Sequence, residues 1–427
     1  MTDVAVVGGG LAGLVAARRL AETGVDVTLL EREPEVGGRV LTDYENGFTF
    51  DRGFQVLFPT YPAVRRELDL DALSLRRFKP GATLVRPGER TTLSDPLRDP
   101  KALTPTVFNR DVTLGDKLRV FRLQRELARK PVEEIRTADE TSIAEYLDGR
   151  GFSEAFSENF AAPFYGGITL DRSLSTSAFV FEYTFKMLAS GPAAVPSRGM
   201  GALSDQLAGF ATGAGATIET NARVKTVESA GETVDERVVV ETPGETIEAD
   251  SVVVATDPPT ARELTGVESI PTTARGCVTQ YFSLPTTQRL HGGERLLLNV
   301  ADDRPNQVAV LSAVAPEYAP EGKRLLGATF LGAPSATDEE LAAEVRTALE
   351  AWFPENSFGE LDLLRTERIP FAQLDQPPGF TAEWPAVDTP DGPVYLAGEY
   401  TQWSSIQGAL ESGQVAAEAV WRHLTGR

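Results

Sequence analysis

The chain has 427 residues, more than one ordinary core accommodates, so two domains are expected. Its formal net charge of −21, with seven lysines among 41 basic residues, argues against nucleic acid and anionic membranes as partners and reads as a cytoplasmic protein of a high-salt-adapted cell, with an ordinary acidic bacterial enzyme as the alternative. One cysteine, Cys277, excludes an intramolecular disulfide, and with two histidines, His291 and His423, far apart in sequence it leaves almost no material for a Cys/His zinc centre or a Ser–His hydrolase.

The first thirty residues carry the parts of a nucleotide-binding βαβ unit in order. Residues 4–7 read as a buried strand, Gly8, Gly10 and Gly13 satisfy G-x-G-x-x-G at its end, and 11–21 has helical apolar spacing. The first glycine permits the tight turn, the second lets backbone approach a pyrophosphate, and the third lets helix pack on strand. A second strand, 26–30, ends at Glu31, where a carboxylate binds ribose hydroxyls. A glycine-rich turn without ligand is the alternative. Gly37, Gly38 and Arg39 follow, and there Arg39 is either a second approach to the pyrophosphate or a surface arginine. Met1–Asp3 leads straight into the strand without the basic region of a signal peptide.

The glycines, Glu31 and the Gly-Gly-Arg at this spacing resemble flavoproteins that hold FAD extended, the amine oxidase, protoporphyrinogen oxidase and carotenoid desaturase superfamily. The resemblance implies FAD contacts at Gly8, Gly10, Leu11, Ala12, Gly13, Glu31, Arg32, Gly38 and Arg39. The next stretch, "GFTFDRGFQVLFPTYPAV", alternates at Phe48 and Phe50 and turns at 51–53. It is similar to a segment of plant-type phytoene desaturases, which implies that Gly53, Phe54 and Gln55 pass near the flavin ring.

From about 95 to 187 charged and apolar residues mix at helical spacing (114–128, 142–147, 153–160), with interruptions expected at Pro131 and Pro163. This reads as an inserted helical cap. Its "AAPFYGGITLDRSLSTSA" is similar to the cap of protoporphyrinogen oxidases and desaturases, so Phe164 and Tyr165 either line a substrate cavity or pack its core. The α/β rhythm returns with a helix to about 211, a strand at 216–219 and an N-x-x-V pattern whose Val224 the family places against adenine. A buried strand closes at "ATDPP", and strand-like alternation follows at 278–284, 296–300, 308–313 and 325–330, then a helix at 338–352.

The last segment, "LAGEYTQWSSIQGALESGQVAAEAV", reads as a strand, a break at Gly398 and a helix whose N-terminus faces something electron-rich. It resembles the desaturase ending. The resemblance implies Gly398 and Glu399 near the ribityl chain and pyrophosphate, and Ile406, Gln407 and Ala409 at the flavin pyrimidine. Small residues (Ala409, Gly413, Ala416, Ala417) would let the helix lie close to the cofactor. Trp403 is a further cavity-wall candidate.

The fold class expected is α/β: a Rossmann-like FAD domain of the GR2 type (1–75, 196–262, 380–427) interleaved with an α+β substrate domain (76–195, 263–379) carrying the cap. The function expected is FAD-dependent dehydrogenation of an apolar small molecule, a carotenoid, isoprenoid or porphyrinogen, by hydride transfer to flavin N5. Ile406 stands where monoamine oxidases have a tyrosine, and the absent cysteine there implies non-covalent FAD. No lysine lies in 276–284, where many of them have one near N5. An amine or amino-acid oxidase, anchored by an arginine such as Arg172 or Arg198, and a non-catalytic flavin protein are the alternatives. The electron acceptor is oxygen or a quinone. No metal and no catalytic acid–base pair is expected. No apolar run reaches the ~18 residues of a span, and no amphipathic anchor stands out, though an apolar substrate leaves room for peripheral membrane contact.

Overall fold

The computed structural model describes residues 3–94, 111–136, 140–229, 237–288 and 290–426. Four-residue apolar strands with every side chain buried, Val4–Val7, Val27–Leu30 and Ser251–Val254, build the centre of a five-stranded parallel sheet. Val394–Leu396 and Thr217–Glu219 form its edges. Burial on both faces is what a parallel sheet needs: helices cover one face, and the three-stranded antiparallel sheet Thr226–Ser229, Val238–Glu241, Thr246–Ala249 with helix Pro258–Thr265 covers the other. Among the helices of the first face is the fingerprint helix Leu11–Ala21, against which the C-terminal helix Ile406–Thr425 packs.

The second sheet has seven strands in the order Asp362–Leu374, Ala274–Pro285, Lys323–Leu331, Gln307–Val310, Leu296–Asn299, Ala82–Arg86, Glu89–Leu93. All its pairings are antiparallel except that of Leu296–Asn299 with Ala82–Arg86. Three differences from the sequence reading have physical causes. The alternation expected to run to residue 313 stops at Val310, where Leu311–Val314 makes a helical turn. The strand Asp362–Leu374 is an edge strand of mixed charged and apolar residues, half-exposed along its length, so it carries no clear period of two. Phe48–Asp51 does not alternate between core and solvent: all four residues are buried.

The cap is helical over its described part; its expected beginning, 95–110, lies outside the described residues. Helices Leu114–Arg129 and Ile143–Gly149 each start on a capping box, Thr113 with Asp116 and Ser142 with Glu145. Pro163 does not interrupt its helix. A π-helical turn, Ser157–Ala161, carries Glu154–Phe156 into Ala162–Thr169, with the Ala162 N–H donating to Ser157 C=O. Pro163 thus falls in a first turn, where its missing N–H is tolerated. Helix Ala178–Ser190 completes the cap; buried on most sides, it shows little amphipathic contrast. No helix among the described residues is long and apolar enough to cross a membrane.

Candidate active site

Gly8 has a positive φ of 110°, and a Cβ there would stand 2.6 Å from Ala255 C=O. A Cβ on Gly13 would meet Gly8 C=O at 2.0 Å, so only glycine lets the helix start this close to the strand. Gly10 is different: a Cβ there meets nothing within 4 Å. It borders a continuous cavity of about 1820 Å³ that runs from the fingerprint to the cap.

Glu31, buried at the end of its strand, accepts the Gly9 N–H at 2.6 Å on one carboxylate oxygen and the Glu33 N–H at 2.9 Å on the other. Its C=O accepts from Ala222 N–H at 2.8 Å, which brings the 222–224 segment alongside. Among the described residues neither the N–H nor the C=O of Val224 has a hydrogen-bond partner. Arg32 pairs loosely with Asp257 at 3.4 Å. Arg39 Nη1 lies 2.6 Å from Glu399 Oε1, a contact without an aligned hydrogen bond, so the buried carboxylate retains acceptor capacity. Gln55 ties two segments together by donating to Arg39 C=O at 2.8 Å, and the Phe54 N–H donates to Thr279 Oγ1 at 3.2 Å.

At the other end, Ser405 caps the C-terminal helix, accepting the Gly408 N–H at 2.8 Å. The N–H groups of Ile406 and Gln407 have no acceptor among the described residues, as the first turn of a helix leaves them. Gly8, Gly10, Leu11, Ala12, Glu31, Arg32, Gly38, Arg39, Gly53, Phe54, Gln55, Val224, Gly398, Glu399, Ile406 and Ala409 all line the one cavity, together with Phe164, Tyr165 and Trp403. Gly13 does not; it serves the helix–strand contact. The Gln407 side chain turns away, accepting the Ala63 N–H at 2.8 Å and donating to Glu411 at 3.1 Å. Of the small residues of the C-terminal helix, Ala409 lines the cavity, but Gly413 acts elsewhere than expected: a Cβ there would stand 2.2 Å from Ala12 C=O, so it fits the fingerprint helix and not a cofactor.

These donors and open space fit FAD: a glycine turn and first-turn N–H groups for phosphate and pyrimidine oxygens, and carboxylates for hydroxyls. Comparison with known proteins agrees. Residues 11–421 match the model of the flavin containing amine oxidoreductase family. The chain belongs to that family. Membership places it in the superfamily of the FAD-dependent amine oxidases and desaturases. It is 38% identical over 168 residues to a carotenoid phi-ring synthase of Streptomyces griseus, 36% of this chain and 32% of that one. It is 53% identical over 51 residues to a carotenoid 3,4-desaturase of Haloarcula japonica, 12% of this chain and 10% of that one. The matches thus span about a third or less of those relatives' own lengths. The structure of cyclohexylamine oxidase from Brevibacterium oxydans superposes with a TM-score of 0.70 at 18% identity, covering 99% of both chains, which fixes the fold.

The cap side of the cavity was only partly foreseen. Phe121, Phe156, Phe160, Phe185 and Leu188 join Phe164 on its wall. Phe160 lies 5.5 Å from Phe156 and 5.3 Å from Phe164, ring centre to ring centre. Their i, i+4 spacing was the available signal. Cys277 also lines the cavity; burial pushes its thiol up to about 11, so it stays neutral. Neither Arg172 nor Arg198 lines it: Arg172 donates to the carbonyls of Asn299 and Asp302, at 3.2 and 2.7 Å, and Arg198 is exposed.

Proposed function

We propose that this flavoprotein dehydrogenates an apolar substrate of the carotenoid, isoprenoid or porphyrinogen type, with FAD bound non-covalently between the two ends of the chain. In this reading Glu31 receives the ribose, Val224 backbone the adenine, and Gly8–Gly13 with Gly38 and Arg39 the pyrophosphate. Glu399 faces the ribityl chain. The segment Gly53–Gln55, the helix start at Ile406 and Gln407, and Ala409 meet the ring system.

The observation that carries the substrate class is the cap-side wall. Its charged lining residues are two lysines, Lys79 and Lys117, and among the described residues it offers no carboxylate. A protonated amine would be buried there without a counter-ion, which is costly, whereas a polyene gains from every aromatic contact. Two relatives with carotenoid names support the same class. Bound FAD supplies a hydride acceptor. The chain's part is to hold a C–H bond against that acceptor and exclude water. The free N–H groups of Ile406 and Gln407 would offset negative charge gained by the bound cofactor on reduction. Net, the substrate would lose two electrons and two protons as a C–C bond becomes C=C, and the acceptor would take both, oxygen becoming hydrogen peroxide or a quinone becoming quinol.

The test is anaerobic mixing of FAD-loaded protein with an acyclic carotene in mixed micelles, alongside diamines and amino acids. Bleaching of the flavin by the carotene, with a lengthened polyene as product, is expected. Bleaching by amines alone, or by no donor at all, would overturn the reading.

A further inference from the structure

Gln307 is a polar residue among apolar neighbours. It opens the strand Gln307–Val310, paired with Leu298 on one side and Thr329 on the other, and is only 1% exposed. It nevertheless lines the long cavity, with Phe164 and Ile168 of the cap helix Ala162–Thr169. That helix lies against it: a Cβ on Gly167 would stand 2.1 Å from Gln307 Oε1, so the missing side chain leaves room for the amide.

The orientation of the amide follows from its neighbour. One side-chain end of Asn306, which is fully buried, lies 3.1 Å from Pro163 C=O. A carbonyl only accepts, so that end is the donor Nδ2. The same Nδ2 lies 2.6 Å from the Gln307 side chain, and the Gln307 atom it meets is therefore the acceptor Oε1. Both Nδ2 hydrogens are then used. The other end of the Gln307 amide is Nε2, and among the described residues its N–H groups have no acceptor. The pair cannot relieve this by turning round, because a flipped Asn306 would set oxygen against Pro163 C=O. Asn306 Oδ1 is itself buried without a partner, so nothing in the pair is gained by the present arrangement except the free donor on Gln307. Buried donors are nearly always paired. One left free on a cavity wall marks the place of a ligand oxygen.

That donor is neutral, so it does not call for an anion. A carbonyl oxygen accepts the bond without bringing a hydrogen that must be satisfied in turn, which suits aromatic and aliphatic surroundings. We propose that Gln307 Nε2 donates to a carbonyl oxygen of the bound substrate, so that the cavity prefers an isoprenoid ketone or aldehyde to the hydrocarbon of the same skeleton. Gln307 is a specificity determinant: it holds one end of the molecule and takes no part in the bond changes. That the ligand is an isoprenoid rests on the apolar-substrate reading above; the hydrogen bond is tested by binding, without turnover.

The FAD-loaded full chain is titrated by calorimetry with geranylacetone, an acyclic isoprenoid ketone, and with the hydrocarbon of the same skeleton. The ketone is expected to bind about tenfold more tightly, since the hydrocarbon leaves the buried N–H groups unmet. Q307L is expected to bind the two alike. In the wild type, hydrogen bonding lowers the infrared band of the isotope-labelled ketone carbonyl, and in Q307L the band should return to its position in an apolar solvent. This band separates a lost hydrogen bond from a changed cavity shape. Q307M, with its adaptable side chain, serves for both readouts if Q307L loses its flavin. Equal binding of ketone and hydrocarbon by the wild type, or a carbonyl band that Q307L leaves unmoved, would overturn the proposal and leave the apolar-substrate reading standing. A Gln307-dependent ketone alongside flavin bleaching by amines alone would do the reverse. A ketone that does not bind at all would overturn the proposal.

Discussion

Glu31 does two things with one carboxylate: it satisfies the Gly9 and Glu33 N–H groups and presents its remaining lone pairs to the cavity. Glu31→Gln keeps the shape but turns an NH₂ toward one of those donors. Leaving a buried N–H without an acceptor costs about 1–3 kcal/mol. FAD affinity, measured by titrating the apoprotein, is therefore expected to fall roughly tenfold or more, and an unchanged Kd would remove Glu31 from the binding account. Asp51, two residues before Gly53, is a buried carboxyl outside the cavity lining. Burial raises its carboxyl to about 6, against the donations of Thr42, Met200 N–H and Tyr318. The folded protein then holds an extra proton between 3.8 and about 6, so stability is greatest below that window and falls as pH rises through it. Melting temperatures across the window should show this slope in wild type and a flatter one in Asp51→Asn; equal slopes would contradict it. Glu31 was legible because its distance from the glycines is fixed by a helix and a strand. Asp51 was not, since its burial depends on Tyr318 and Met200, far away in sequence.

The elements that border the glycine-turn end of the cavity are held by close backbone approach. Gly413→Ala would place a Cβ 2.2 Å from Ala12 C=O and 2.9 Å from Val15 Cβ, prying the C-terminal helix off the fingerprint helix. Destabilisation of about 1–3 kcal/mol is expected from such overpacking, with weaker FAD retention. Gly209→Ala is the contrasting case: the position is exposed in a helix and its Cβ meets nothing within 4 Å. There a gain of about 0.5–1 kcal/mol is expected from lower unfolded-state entropy. Urea denaturation of both variants decides. Elements with a strong local signature could be read in advance, such as the fingerprint helix, Asp338–Trp352 and the helix start near Ile406. Helix Ala178–Ser190 could not, because it is buried on most sides and lacks a polar face, and the edge strand Asp362–Leu374 lacks the alternation of a half-buried one. The exposure of Leu114, Leu118 and Phe121 on helix Leu114–Arg129 was not legible for a related reason: they look like core residues until the fold shows which face is covered.

At the scale of the whole molecule, two sheets and a helical cap enclose one cavity with polar walls at the glycine turns and aromatic walls under the cap. A net charge of −21 repels itself at low ionic strength, and the Debye length shortens from about 10 Å at 0.1 M salt to about 3 Å at 1 M. The melting temperature is accordingly expected to rise with added potassium chloride; a fall would count against high-salt adaptation. In the proposed reading the two ends of this chain close on FAD without a covalent link. It is tested most directly by the visible spectrum of protein purified in high salt, recorded before and after heat denaturation. A flavin spectrum is expected, with FAD in the supernatant once the protein is precipitated. A colourless protein that FAD cannot reconstitute, or flavin that stays with the pellet, would contradict it.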